Sequence, residues 1–132
     1  FNSPIDAFVT EQAAILDFEN RVRLVAAAAD EPFLFYTGVG EDHFTGVMTW
    51  SLKGFKQALQ KISIKSLEFH NSRGDFEKWA EKTLHDKRLK EELKKIRVSE
   101  QKGKALRKSL IKTVTERFDQ LSKQIETATK YF

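Results

Sequence analysis

The C-terminal segment is the feature that most restricts the fold. From residue 104 to residue 131, apolar residues recur at spacings of three and four, the period of one face of an α-helix. A helix with so narrow an apolar stripe is marginal alone in water, so the segment must pack on another helix. This arrangement predicts a helical bundle. The seam residues are Ile111, Val114, Phe118, Leu121, Ile125, Ala128 and Phe132.

Residues 4–29 offer a matching partner for this helix. Ser3 and Pro4 are typical of a helix start, and Pro32 requires the helix to end before it. Antiparallel pairing of the two terminal helices within one chain is the first hypothesis, and a homodimer through the C-terminal helix is the second. The apolar positions of the N-terminal segment are Phe8, Ile15, Phe18, Val22, Val25 and Ala29.

Between the terminal helices, residues 32–97 predict a compact centre. The aromatic run from Phe33 and the segment 43–50 predict one short β-hairpin near 33–50. Ser51 and Asp86 each precede a helical apolar pattern and are expected N-caps. The overall prediction is a mainly α single domain over 1–132, with five to six helices and the long terminal helices 4–29 and 104–131 beside the centre.

Composition excludes several classes of chemistry. The chain has no cysteine, which excludes disulfides, thiolate metal sites and a cysteine nucleophile. Its histidines, His43, His70 and His85, form no closely spaced ligand pair. We therefore expect no metal site and no cofactor. No stretch is long and apolar enough to span a membrane, so we expect no membrane partner and a cytoplasmic location.

The charge is unevenly distributed along the chain. Residues 1–50 carry two basic and eight acidic side chains, whereas residues 87–112 carry eleven basic and three acidic ones. A basic segment of this kind indicates nucleic acid or another polyanion, and the alternative is that it packs against the acidic first half. The candidate polyanion contacts are Lys87, Arg88, Lys94, Lys95, Arg97, Lys104, Arg107 and Lys108.

A second candidate site lies in the stretch KSLEFHNSRGDFEKWAEKTL, residues 65–84. Residues 72–75 fit a capping box, in which Ser72 accepts a hydrogen bond from the amide of Asp75. In the alternative, Asp75 is itself the N-cap. Both predict a corner between two helices.

A catalytic or anion-binding role for the same corner is the alternative to a structural one. His70 oriented by Asp75 could act as a base, and Arg73 could hold an anion. Together with Trp79 these residues form the candidate functional cluster, for which a small hydrolase or an anion-binding site is the alternative to a structural role.

The sequence also resembles a known family. The stretch SLKGFKQALQKISIKSLEFHNSRGDFEKWAEKTL, preceded by PFLFYTGVG, is similar to a small archaeal and bacterial domain of unknown function, over about residues 32–96. The chain departs from that family's pattern at Ser72 and at His85-Asp86. The resemblance implies an intracellular prokaryotic protein and treats the cluster as one unit, without implying an activity.

These observations favour a non-enzymatic intracellular binding or assembly module, whose partner is another protein or a second copy of the chain. Nucleic-acid binding through residues 87–112 is the first alternative, and the site around His70 is the second.

Overall fold

The computed structural model describes residues 31–129, with side chains described to residue 126. This part of the chain forms a β-hairpin followed by five helices, which confirms the mainly α fold and the hairpin predicted near 33–50. The predicted helix over 4–29 lies outside the described residues. The elements are β1 (Phe33–Tyr36), β2 (Phe44–Thr49), α1 (Leu52–Lys61), α2 (Ile64–Arg73), α3 (Asp75–Lys82), α4 (Lys87–Val98) and α5 (Gly103–Thr129).

The hairpin places alternate aromatic side chains in the core. β1 and β2 are antiparallel, with Phe33 opposite Thr49. Because side chains alternate between the faces of a strand, Phe33 and Phe35 both point inward and are buried. The ring of Phe33 lies 5.4 Å from that of Phe55 and 5.2 Å from that of Phe76, measured between centroids. A two-stranded sheet is marginal alone, so these contacts with α1 and α3 hold it in place.

Two predicted helix starts are confirmed. The Ser51 hydroxyl accepts from the Gly54 amide at 3.0 Å, and the Asp86 carboxylate accepts from the Leu89 amide at 3.1 Å. Each side chain thereby satisfies an amide that has no partner inside its helix. The helix that Asp86 caps, α4, ends at Val98.

The corner between α2 and α3 is present, but both predicted caps are wrong: no capping box forms, and the N-cap of α3 is Gly74 instead of Asp75. The Ser72 hydroxyl donates to the Phe69 carbonyl at 3.0 Å, one turn back along its own helix. The carboxylate of Asp75 meets His70 instead of a backbone amide. Gly74 makes the corner, because its φ of 72° is a left-handed conformation that glycine adopts without a Cβ clash.

Replacing Gly74 with alanine should lower the free energy of unfolding by about 1–2 kcal/mol, the cost of a left-handed conformation for a residue with a Cβ. Space is available, since an added Cβ would lie 3.6 Å from Arg97 Nε. Gly54→Ala is the control, because Gly54 lies within α1 and alanine there should raise stability by up to about 1 kcal/mol. Urea unfolding of both variants tests this, and equal effects would contradict the corner.

α5 packs on α1, α2 and α4. Its residues Leu106, Leu110, Val114 and Leu121 are buried in the same core as the hairpin and the shorter helices. Of the predicted seam, Val114 and Leu121 are buried, and Ile111, Phe118 and Ile125 pack against the core, whereas the side chains of Ala128 and Phe132 lie outside the described residues. Phe118 is partly buried, with the Lys56 ammonium 5.0 Å from its ring centroid. Pairing of α5 with residues 4–29, and a homodimer through α5, stay predictions.

Candidate functional site

His70 lies in the last turn of α2 and is only 4% exposed. The backbone N–H of Tyr36 donates to its Nε2 at 2.8 Å, and its Nδ1 lies 2.8 Å from Asp75 Oδ2. A backbone amide can only donate, so Nε2 carries the lone pair. Nδ1 therefore carries the proton, which it donates to the carboxylate of Asp75. These two bonds tie β1 to the corner between α2 and α3.

The surroundings of His70 favour its neutral form. Burial lowers the pKa of its imidazole below the ordinary value of 6.5, and this outweighs the hydrogen bond and the charge of Asp75, which raise it. The charge of Arg73 lowers the pKa further. The rings of Phe33 and Phe69 lie 4.8 and 5.0 Å from the imidazole, so little water reaches it.

Arg73 and Asp75 complete the contact. Arg73 Nε lies 3.4 Å from Asp75 Oδ2, and the guanidinium lies 4.8 Å from the ring centroid of Phe69. The Arg73 side chain is 49% exposed, so this ion pair adds little stability. Trp79 is separate from the contact, since its indole N–H donates to the Glu31 carbonyl at 2.9 Å. The structure thus brings together three of the four predicted residues.

An open cleft of about 440 Å³ lies above this contact. Tyr36 and Phe69 contribute aromatic surface, Arg73 contributes a cation, and Glu41 contributes an anion. A catalytic base needs a free lone pair directed at the substrate. The only lone pair of His70 already accepts from Tyr36, so the geometry supports a structural connector.

The structure divides the eight candidate polyanion contacts into two groups. Arg97 pairs with Glu77, with 2.5 Å between Nε and Oε1. Arg107 donates to the carbonyls of Leu59 and Ile62 at 2.8 and 2.5 Å, and so satisfies the C-terminal end of α1. These two arginines serve the fold.

The remaining six candidates are exposed. Lys95 pairs with Glu92 at 3.2 Å, and the exposed part of α4 is mixed in charge. The beginning of α5 differs, because residues 101–115 contain five cations and no carboxylate. Lys104, Lys108 and Lys112 are exposed at successive intervals of four residues, and we call them the lysine row. Within residues 31–126 no ion pair involves any of the three.

Two contacts near these surfaces were missed by the sequence reasoning. Arg117 pairs with the buried Asp86, with 2.7 Å between Nε and Oδ2. The Gly103 amide donates to Glu68 at 2.8 Å, so a carboxylate of α2 caps α5. Asp86 was predicted as a cap, but no local signal indicated its second partner.

The sequence comparisons now add to this geometry. Residues 71–132 match the model of a family of unknown function (DUF5752). The chain is therefore similar to that family from the end of α2 through α5, and this range overlaps the resemblance at residues 32–96 only over 71–96. No curated protein and no solved structure match the chain.

In residues 31–129, no three side chains of the metal-binding types His, Cys, Asp or Glu come together in a group. No helix within the same range combines the length and hydropathy that a membrane span requires.

Proposed function

We propose that this protein is a non-enzymatic binding module whose partner is nucleic acid, contacted through the lysine row of α5. The observation that carries the proposal is the exposure of Lys104, Lys108 and Lys112 in a stretch without carboxylates. A cytoplasmic location and a prokaryotic origin, as expected from the sequence, belong to the same proposal.

The spacing of the lysine row suits a phosphate backbone. Residues four apart on an α-helix are separated by about 6 Å along the axis, so the row extends over about 12 Å. One DNA strand presents a phosphate about every 3.4 Å along the duplex axis. Three lysines on one exposed face can therefore reach phosphates of the same strand. Such contacts supply affinity without reading the sequence.

Helix stability does not account for Lys104. The N-terminal end of a helix carries a partial positive charge, so cations there are unfavourable by about 0.3–1 kcal/mol each. Lys104 is the second residue of α5, whose first turn contains no acidic residue. Its capping carboxylate comes from Glu68 in α2. A bound phosphate would offset the unfavourable charge of Lys104, which supports binding as the role of this lysine.

Charge reversal at the lysine row should weaken binding and strengthen the fold. The variant carries Lys104→Glu, Lys108→Glu and Lys112→Glu in the full chain. The probe is a DNA duplex of about 20 base pairs, which is long enough to cover several phosphate contacts. Fluorescence anisotropy of the labelled duplex measures binding. We expect at least about a tenfold loss of affinity at low salt. The slope of log affinity against log salt should become shallower by about 3, since each phosphate contact contributes about 0.9. Lys104→Glu alone should raise stability by about 0.3–1 kcal/mol.

A matched control separates the row from net charge. Lys53, Lys65 and Lys78 are exposed lysines on α1, α2 and α3, and Lys53 and Lys65 lie in the first turns of their helices. Their replacement by glutamate changes the net charge by the same amount and should leave the salt slope unchanged. Equal losses in the two triple variants, or no binding by the wild type at low salt, would remove the proposal.

A further inference from the structure

The largest group of exposed apolar side chains in the described residues lies beside a groove between β2 and α1. Val47, Met48 and Trp50 are 37%, 46% and 45% exposed. The groove measures about 420 Å³, and Gly54 and Ala58 lie on its α1 side. Small residues four apart on a helix let another backbone approach closely. We call this the β2–α1 groove, and it is separate from the lysine row.

We propose that the β2–α1 groove, rather than α5, is the docking site for residues 4–29 of the same chain. The segment is predicted to form an amphipathic helix with apolar residues at Val22, Val25 and Ala29. Burial of those residues against Met48 and Trp50 would cover both apolar surfaces at once.

The position of residue 31 indicates that the segment before it occupies the groove. Phe33 is paired with Thr49, which lines the groove. The Glu31 carbonyl accepts from Trp79, which fixes the chain two residues before Phe33. At about 3.3 Å per residue, residue 31 lies within about 7 Å of Phe33. The preceding segment therefore begins beside the end of the groove at which α1 starts.

This entry point also sets a register. A helix that leaves residue 30 and follows α1 would run antiparallel to it, with Ala29 near the first turn of α1. At about 1.5 Å per residue in both helices, Val25 would lie near Gln57 and Val22 near Lys61. Asp17 and Glu19 would then lie past the end of α1, where Lys61 and Lys65 are exposed.

The charges agree with this arrangement. Residues 1–30 contain five acidic and two basic side chains. The residues that line the groove include the cation Lys61 and no acid. Opposite net charges on the two surfaces favour their association over repulsion.

The backbone of β2 makes an added strand a poorer occupant. Leu34 is opposite Met48 but Tyr36 is opposite Phe44, so β2 has a bulge between these pairs. Gly46 has a φ of 85°, and the Val47 amide already donates to the Thr45 hydroxyl at 3.2 Å. Bulges of this kind protect an edge strand from pairing with another strand. A helix that uses side-chain contacts fits this surface better.

Cysteine cross-linking in the full chain tests the proposal, since the natural sequence has no cysteine. One variant carries Val25→Cys with Gln57→Cys, and a second carries Val22→Cys with Lys61→Cys. A short bis-maleimide should join each pair within one chain, which mass spectrometry of the monomer band identifies. The control joins Val25→Cys with Val98→Cys, because Val98 is 66% exposed at the end of α4. We expect no link in the control.

Each other outcome decides against the proposal. Links between two chains would assign the groove to a second copy, and unlinked but reactive thiols in both groove pairs would remove the docking altogether.

As a second measurement, Gln57→Cys should react with a monofunctional maleimide several times more slowly than Val98→Cys. Adding Val22→Asp and Val25→Asp should abolish this difference. Unchanged protection in that variant would also overturn the proposal.

Discussion

Replacing Arg117 with methionine should lower the free energy of unfolding by about 3–5 kcal/mol. The Asp86 side chain is 3% exposed and Arg117 is its charged partner at 2.7 Å. Without the guanidinium, the carboxylate stays buried with only the Leu89 amide as a described hydrogen-bond donor. An uncompensated buried charge is costly because the protein interior solvates it poorly. Urea unfolding of the full chain measures the effect.

A double variant separates the buried charge from lost packing. In a chain that carries both Asp86→Asn and Arg117→Met, the introduced amide would keep the N-cap of α4 but carry no charge. We expect this chain to recover most of the stability that Arg117→Met loses, because no unpaired ion remains. If Arg117→Met costs less than about 1 kcal/mol, the range of a solvent-exposed ion pair, the pair is well solvated and this interpretation is wrong.

The features that the sequence predicted correctly depend on residues close together in the chain. Ser51 and Asp86 could be identified as caps because the amides they accept from lie three residues later. The seam of α5 could be identified because helical periodicity places its apolar residues on one face. Both signals are local and do not depend on the rest of the fold.

The features that were missed depend on elements far apart in sequence. Arg107 caps α1 from 45 and 48 residues away, and Arg117 pairs with Asp86 across 31 residues. From the sequence alone Arg107 belongs to the basic segment 87–112, and Arg117 lies beyond it, between Glu116 and Asp119. Only the packing of α5 against α1 and α4 separates the arginines that serve the fold from the exposed lysines of the lysine row.

The corner at residues 72–75 shows the same limit within a short motif. The capping-box pattern is present, but the Asp75 carboxylate accepts a hydrogen bond from the imidazole of His70 instead of from a backbone amide. That imidazole is held by the amide of Tyr36, which is 34 residues earlier. The sequence indicated the contact between His70 and Asp75, but not the bond from Tyr36, because that bond requires the hairpin to lie against α2.

Replacing His70 with alanine should cost about 3–5 kcal/mol of stability, the range for removing a large ring from a packed core. The ring contacts Phe33 and Phe69, and its loss would also leave the Tyr36 amide without its acceptor. In a His70→Gln chain the side-chain carbonyl oxygen can accept from the same amide, so that variant should lose less. A loss for alanine below about 1 kcal/mol, the net value of a single ordinary hydrogen bond, would contradict the connector role.

The pH dependence of stability tests the same role independently of packing. Because the folded pKa of His70 lies below the unfolded value of 6.5, the unfolded chain binds a proton first as the pH falls. Its contribution is therefore complete above pH 6.5 and is lost as the pH falls from there through the folded pKa. The loss can reach at most about 1.4 kcal/mol per pH unit. The His70→Gln chain should lack this part of the slope, and the contributions of all groups that the two proteins share cancel in the difference. The comparison covers about pH 7 to pH 5, the range in which an ordinary histidine titrates. If the stability curves of the two proteins are parallel there, burial does not suppress protonation of His70. The contact between β1 and the corner would then persist when the His70 imidazole is protonated.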